Sequence, residues 1–460
     1  VGKLFGTDGI RGRAGSFVTP QLAFRLGYYS ADLLYRRFKD FNPRPASRPY
    51  IVVGKDCRLS SDALEAAVCA GAATAGANAY RLGVAPTPAT AFATKALRAC
   101  AGIMITASHN PIDDNGLKVF AFDGHKVSDE LEAELERLLE TEPALGKHDG
   151  ISFGSCVDRP DLVEEYSKFL KSAVKTAVRA LRVCVDCAHG ATSLIGPRLL
   201  REVGFATVAI NDDFDGHKIN VACGSTDLAP LRAAVERERA DFGMAFDGDG
   251  DRALFMDERG RVVDGDHVIG LLATLVPRYR GAKAVVVTQM SNLGLEEFLR
   301  ERGVALMRSE VGDIKVLELM RSEGIDLGGE QSGHIIMHDL ATTGDGILTA
   351  LVFAKVIDEA GVPLSNLAAR IPTYPQLLRN VPIPGNKEGW KNDPAVQRGI
   401  EAVRKKYGES VRLYVRASGT EPLIRILTEA KDEAVCRRAN DEVAKLFEEW
   451  SRNSKGGSEG

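Results

Sequence analysis

The 460-residue sequence predicts an α/β protein of four domains: three related α/β domains on parallel or mixed sheets, then a smaller C-terminal α+β domain. Two observations carry this. A unit recurs three times, in which a β-rich run, a turn of small or polar residues, an apolar-periodic helix, a glycine and a second β-rich run follow one another. Strands alternating with helices at that spacing form parallel sheets through right-handed βαβ units. Residues 370–394, rich in Pro, Gly and Asn, then break the pattern, and the chain resumes as two strands around one turn with a closing helix.

Taken in order, 50–54 reads as a strand, 61–76 as a helix and 79–82 as the next strand. Ile103, Met104 and Ile105 read as a buried strand. The helix at 128–140 has Ser128 as N-cap, acids in its first turn, and Leu131, Leu135, Leu138 and Leu139 at helical spacing. The second unit repeats the pattern at 182–186, 194–203 and 207–210, and the third at 284–288, 295–301 and 304–307. In the last part 411–415 and 423–427 read as paired strands, before a helix burying Val443, Leu446, Phe447 and Trp450. The expected divisions are 1–150, 151–253, 254–369 and 370–450, with 370–394 as a linker and 451–460 as a disordered tail.

A formal charge of -4 argues against a nucleic-acid or membrane-surface partner, which would need an excess of Lys and Arg. Anionic ligands must therefore meet local basic pockets. No apolar run approaches the ~18 residues of a membrane span, and residues 1–13 lack an apolar signal segment, so a cytoplasmic location is expected. The 8 cysteines are scattered through apolar stretches, where a reduced thiol acts as a small hydrophobe. Cys184 and Cys187 form a CxxC, but strand spacing puts them on opposite faces and no second pair exists, so buried packing is expected rather than zinc.

Four loops carry the chemistry. Thr106-Ala107-Ser108-His109-Asn110-Pro111 follows the buried strand, where open α/β sheets hold ligands, and should leave Ser108 exposed. A reactive serine needs a base or surrounding cations, and His109, Lys118 and Arg11 are the candidates; the alternative is a serine capping a turn. In Asp247-Gly248-Asp249-Gly250-Asp251-Arg252 the glycines let three carboxylates converge, a hard-oxygen set suited to Mg²⁺. An EF-hand is rejected because Arg252 stands where the loop's glycine is required and the flanks read as strands. A solvated acidic turn is the other reading. Around Arg416, Ser418, Gly419, Thr420 and Arg425, backbone N–H groups, hydroxyls and guanidinium forks suit an oxyanion, against a plain hairpin turn. Finally Glu330, Gln331 and Ser332 offer an acid, an amide and a hydroxyl that could read sugar hydroxyls, or could form a polar turn.

With these four loops in this order, the chain resembles the α-D-phosphohexomutase superfamily along nearly its whole length. Within it the sequence is most similar to the bacterial phosphoglucosamine mutases, through Phe5 to Gly12, the loop Gly329 to His334, and Val185-Asp186-Cys187-Ala188. It departs where Asp227 follows Cys223-Gly224-Ser225-Thr226 in place of the family's histidine, leaving that position's role open. The resemblance implies a heart-shaped enzyme around a central cleft. It implies a phosphorylated Ser108, and one Mg²⁺ per active site on Asp247, Asp249, Asp251 and a phosphoserine oxygen. The implied reaction interconverts glucosamine 6-phosphate and glucosamine 1-phosphate through a sugar bisphosphate, feeding UDP-N-acetylglucosamine and cell-wall synthesis. Lys118 and His109 are expected to handle protons or charge, Arg11 to steady the phosphoryl group, and Arg252 to lie beside the metal. A phosphomannomutase or phosphoglucomutase with the same chemistry, or a noncatalytic phosphosugar-binding protein, are the rivals. The partner is a small phosphosugar, and a homodimer is compatible with the sequence, which does not set the oligomeric state.

Overall fold

The computed structural model describes residues 4–6, 8–41, 48–143, 145–146, 152–174, 181–383, 387–418 and 422–456. By packing it divides into two units, one of residues 1–288 with 306–369, the other of 289–305 with 370–460. No helix among the described residues is long and apolar enough to cross a membrane.

The first unit is built on one repeated design. In the first sheet the strands Asp114–Ala121, Ala101–Ile105, Tyr50–Lys55 and Asn78–Val84 lie side by side in that order. In the second the corresponding order is Ala253–Asp257, Phe242–Phe246, Arg182–Asp186 and Ala206–Ile210, and in the third Ile335–Met337, Leu327–Gly329, Ala284–Thr288 and Ala305–Ser309. The second member of each row runs parallel to the third, and the first runs antiparallel to the second. Each sheet therefore ends its parallel run in a hairpin, and the three hairpin loops are 106–113, 247–252 and 330–334. The sheets are mixed for this reason. Fully apolar runs such as Ile103, Met104 and Ile105, all without exposure, place these strands centrally, with both faces covered.

Two expected divisions move. The first sheet takes a last parallel strand, Cys156–Asp158, from beyond residue 150. The second sheet runs on through Ala253–Asp257 and Val262–Val263, because the strand after the acidic loop returns along its predecessor. Ser128 caps the helix Asp129–Thr141 as expected, its side chain accepting from the Leu131 N–H. Cys184 and Cys187 are both fully buried, and Cys187 lies just beyond its strand.

In the second unit the strand Leu423–Glu429 lies between Gln376–Pro382 and Arg412–Ala417, antiparallel to both. The strand Gln376–Pro382 falls inside the expected linker. Its alternation is only half buried, but Val381 enters the core with Ile383, Trp390, Ile400, Ile426, Val443 and Phe447. The indole of Trp390 meets the Phe447 ring edge-on at 5.4 Å. Residues 451–456, expected in the tail, continue the helix Glu433–Gly456, and 457–460 lie outside the described residues. Once Phe447 and Trp450 dock, further turns add a hydrogen bond per residue without a new nucleus. Buried Glu429 ties the outlying segment in: it pairs with Arg412 at 2.6 Å and accepts from the Leu293 N–H at 2.8 Å.

Two helices of the first unit, Pro20–Phe41 and Ser61–Thr74, touch backbone to backbone. A Cβ at Gly71 would overlap the Phe24 carbonyl, and one at Gly27 the Val68 carbonyl. Backbone cannot rotate aside as a side chain can. Gly71→Ala should therefore lower stability by about 1–3 kcal/mol, read from its urea midpoint, despite alanine's better helix propensity. An unchanged midpoint would mean that the helices separate freely.

Candidate functional site

Ser108 is not exposed as expected, but 1 % exposed. It sits in the first hairpin loop with φ 49°, a left-handed conformation that a non-glycine residue adopts only when held. That conformation aims Oγ at the second hairpin loop. The Ser108 hydroxyl donates to Asp247 Oδ2 at 2.6 Å and lies 3.2 Å from His109 Nδ1. The acidic loop can come this close because it is glycine-rich: a Cβ on Gly248 would stand 2.8 Å from the Ser108 carbonyl oxygen. Gly250, at φ 71°, supplies the left-handed turn that returns Asp251 to the cluster.

Asp247, Asp249 and Asp251 are all buried, each offering an oxygen within 4.8 Å of the others'. Lys118 reaches them from the strand beyond Ser108, with Nζ 2.8 Å from Asp249 Oδ2, 3.1 Å from Asp251 Oδ2 and 3.1 Å from Asp8 Oδ2. Burial alone would lower the Lys118 pKa, but Asp249, Asp251 and Asp8 carry it well above the ordinary value, so it remains an ammonium. Burial, then Asp251 and Asp249, push Asp247 well above the usual carboxylate range. Asp251 goes the other way: Lys118 and His334 overcome the effect of burial and hold it well below that range. One lysine does not satisfy the cluster. Asp249 Oδ1 and Asp251 Oδ1 are buried with no hydrogen-bond partner among the described residues, and Arg252 Nε and His334 Nδ1 stand off Asp251 Oδ1 at 3.8 and 3.7 Å. Three hard oxygens around unmet negative charge fit a divalent cation such as Mg²⁺.

The other expected groups fall into place unevenly. Arg11 pairs with Asp8 and reaches the serine loop through Asn110 Oδ1 at 3.2 Å. The backbone N–H of Arg252 donates to Asp247 Oδ1 at 3.3 Å. His109 is pushed down to about 4 by burial, then by Arg252 and Arg11, which makes it neutral near pH 7. Glu330, Gln331 and Ser332 form the third hairpin loop: Ser332 donates to Glu330 Oε2 at 3.1 Å, and Gln331 to Asp264 Oδ2 at 3.2 Å. Its Gly333 carbonyl accepts from Ala253 N–H at 3.0 Å, joining this loop to the end of the acidic one. Asp227 serves the backbone, accepting from the Ala229 N–H at the start of the helix Ala229–Glu238.

In the second unit Arg416 and Arg425 sit directly opposite each other on paired strands. Like charges so placed repel, which favours an anion between or beside them. Lys387, which fell inside the expected linker, adds a third cation and donates to the Ser418 carbonyl. Gly419 and Thr420 lie outside the described residues.

Several groups had no signal in the sequence. Thr87 donates to Asp249 Oδ2 at 2.5 Å from a helix start far away in the chain. Lys126 bridges Asp8 and Asp313, and buried His334 lies between Asp251 and Asp313. Only His334 could have been noticed, as the last residue of the GEQSGH run.

Models of four successive domains of one family match the chain. They are the alpha/beta/alpha domains I, II and III of "Phosphoglucomutase/phosphomannomutase", at 2–145, 164–260 and 264–374, and its C-terminal domain at 378–446. A phosphoglucosamine mutase of Caldanaerobacter subterraneus is 43% identical over 451 residues, covering 97% of this chain and 99% of the relative. Among solved structures, a phosphoglucomutase/phosphomannomutase family protein from Burkholderia thailandensis aligns with TM-score 0.80 at 22% identity over 96% of each chain. N-acetylphosphoglucosamine mutase of Aspergillus fumigatus, in complex with GlcNAc-6P and magnesium, aligns with TM-score 0.67 at 18% identity, over 96% of this chain and 95% of that one.

The unmet charge makes a prediction. A carboxyl with a raised folded pKa costs the fold stability as pH climbs from the ordinary carboxylate range towards that raised value, so Asp247 weakens the metal-free protein at neutral pH. Asp247→Asn should raise the melting temperature in chelator while removing most of the rise that Mg²⁺ gives the native protein. Scanning calorimetry with and without Mg²⁺ checks both; a lower melting temperature in chelator would contradict the electrostatic reading.

Proposed function

The chain belongs to the phosphoglucomutase/phosphomannomutase family, and we propose that it interconverts glucosamine 6-phosphate and glucosamine 1-phosphate through a phosphoserine at Ser108 and a sugar bisphosphate. One observation supports the chemistry above all: the Ser108 hydroxyl is presented to the acid cluster, 2.6 Å from Asp247, with the His109 imidazole 3.2 Å away. The amino sugar is favoured because the long, full-length matches at 42 to 43% identity are phosphoglucosamine mutases.

In this reading the Ser108 Oγ–P bond breaks as a P–O bond forms to the free hydroxyl of the hexosamine phosphate, whose proton departs. The bisphosphate then returns its other phosphoryl group to Ser108 by the reverse step. Asp247, Asp249, Asp251 and a phosphoserine oxygen would hold Mg²⁺, which when bound neutralises charge on the phosphoryl oxygens. Lys118, kept as an ammonium by three acids, contributes charge and not proton transfer. His109 is neutral and 3.2 Å from Oγ, so the proton is assigned to it. Arg11 steadies the phosphoryl group and Arg252 the acid loop. Glu330, Gln331 and Ser332 are assigned to the sugar, and Arg416, Ser418, Gly419, Thr420 and Arg425 to its non-reacting phosphate. Eight free cysteines accord with the reducing cytoplasm.

Ser108→Ala should reduce kcat by at least ~10³-fold while leaving the unfolding transition near the native one. Mutase activity near the native level would remove Ser108 from the reaction. Across glucosamine, glucose and mannose phosphates, kcat/KM should favour glucosamine by at least about tenfold, and preference for another sugar would overturn the substrate assignment. For His109, the ratio of native to His109→Asn kcat should stay level from about pH 8 to about pH 5 and fall only near 4, where the imidazole gains its proton. A fall centred near 6.5 would show an unperturbed histidine.

A further inference from the structure

We propose that Arg58, Asp56 and Thr106 are positioning residues that hold Ser108 in its left-handed conformation and so set the aim of the phosphoryl-carrying oxygen; this rests on the mutase reading above. Ser108 at φ 49° stands in the strained left-handed region, and its hydroxyl is turned to Asp247 rather than back onto its own backbone. Both of its peptide groups are instead gripped. Its N–H donates to Thr106 Oγ1 at 2.9 Å, and its carbonyl accepts from Arg58 Nη2 at 2.9 Å and Asn220 Nδ2 at 2.8 Å.

The grip is one connected network. All five N–H donors of the Arg58 guanidinium are used: Nε on Asp56 Oδ2, Nη1 on the carbonyls of Pro111 and Asp114, and Nη2 on those of Ser108 and Asn110. A single planar fork thus fixes three carbonyls of the serine loop and that of Asp114, the first residue of the strand that follows it. Asp56 takes four hydrogen bonds in turn, from Arg58 N and Nε, from the Ser61 hydroxyl, and at 2.7 Å from the Thr106 hydroxyl that receives the Ser108 N–H. Arg58, Asp56 and Thr106 are each at most 2 % exposed. Among the described residues none of the three makes a hydrogen bond or ion pair with the acid cluster, so their effect on the reaction is assigned to pass through Ser108.

Thr106→Val keeps shape and removes the hydroxyl at the network's centre, Thr106→Ser restores the hydroxyl, and Arg58→Lys keeps the charge with three donors in place of five. In the full-length enzyme, assayed well below each variant's melting temperature, Thr106→Val and Arg58→Lys should lose about 10²-fold in kcat with KM within about twofold. Thr106→Ser should recover to within a few-fold of native. A purely structural role would lower stability without that kcat-selective loss or its rescue, so native kcat in folded Thr106→Val would overturn the proposal, as would equal losses in the Val and Ser variants. Crystal structures of the same variants give a readout independent of the substrate. Ser108 should leave the left-handed region in Thr106→Val and keep it in Thr106→Ser; an unmoved Ser108 still bonded to Asp247 in Thr106→Val would also overturn it. If the native enzyme turned over no hexose phosphate, the mutase reading would fail, while the crystal structures would still decide the positioning role.

Discussion

Three carboxylates buried within 4.8 Å of one another are the constraint around which the site is organised. Like charges in a low-dielectric interior repel strongly, so such a cluster persists only if cations and hydrogen-bond donors gather around it. Lys118 supplies an ammonium, Thr87 and Ser108 supply hydroxyls, and the Arg252 N–H completes the inner ring. Beyond them, Asp8 on Lys118, Lys126 on Asp8 and Asp313, and His334 between Asp251 and Asp313 extend alternating charge outward. What remains unmet is Asp249 Oδ1 and Asp251 Oδ1, the two oxygens a divalent cation would complete.

The fold delivers these groups by using one design three times. In each sheet of the first unit, a parallel run ends in a strand that turns back on itself. The three loops so made carry the serine, the acids, and the Glu330-Gln331-Ser332 set. A loop between two paired strands is anchored at both ends, which holds its side chains more tightly than a loop leading to a helix. The loops are also bonded to one another and to segments beside them: the Ser108 hydroxyl to Asp247, the Ala253 N–H just after the acidic loop to the Gly333 carbonyl, the Gly346 N–H at a helix start to the Gly250 carbonyl, and the Asn220 side chain to the Ser108 carbonyl.

What the sequence disclosed is what is local. The acid triplet and its glycines are contiguous, so their convergence could be read directly, as could apolar strands such as 103–105 and the capped helix after Ser128. Burial of Ser108 could not, because it depends on Arg58, fifty positions earlier, and on Gly248, far beyond. The strand Gln376–Pro382 was hidden by Pro375 and Pro382 and by an alternation only Val381 makes inward. Division points were misplaced at 150 and 253 because a strand's membership of a sheet is fixed by its pairing partner, which composition does not announce. Thr87, Lys126 and Lys387 lie in stretches with no motif, and their roles exist only once the chain has folded.

Transfer from serine to sugar is open to direct measurement. Enzyme loaded with an isotopically labelled phosphoryl group would be mapped by peptide mass spectrometry and then mixed with unlabelled glucosamine 6-phosphate and Mg²⁺. The label should map to Ser108 and pass into the sugar phosphates within a turnover. Label on another residue, or label retained on Ser108 while glucosamine 1-phosphate accumulates, would contradict a phosphoserine mutase.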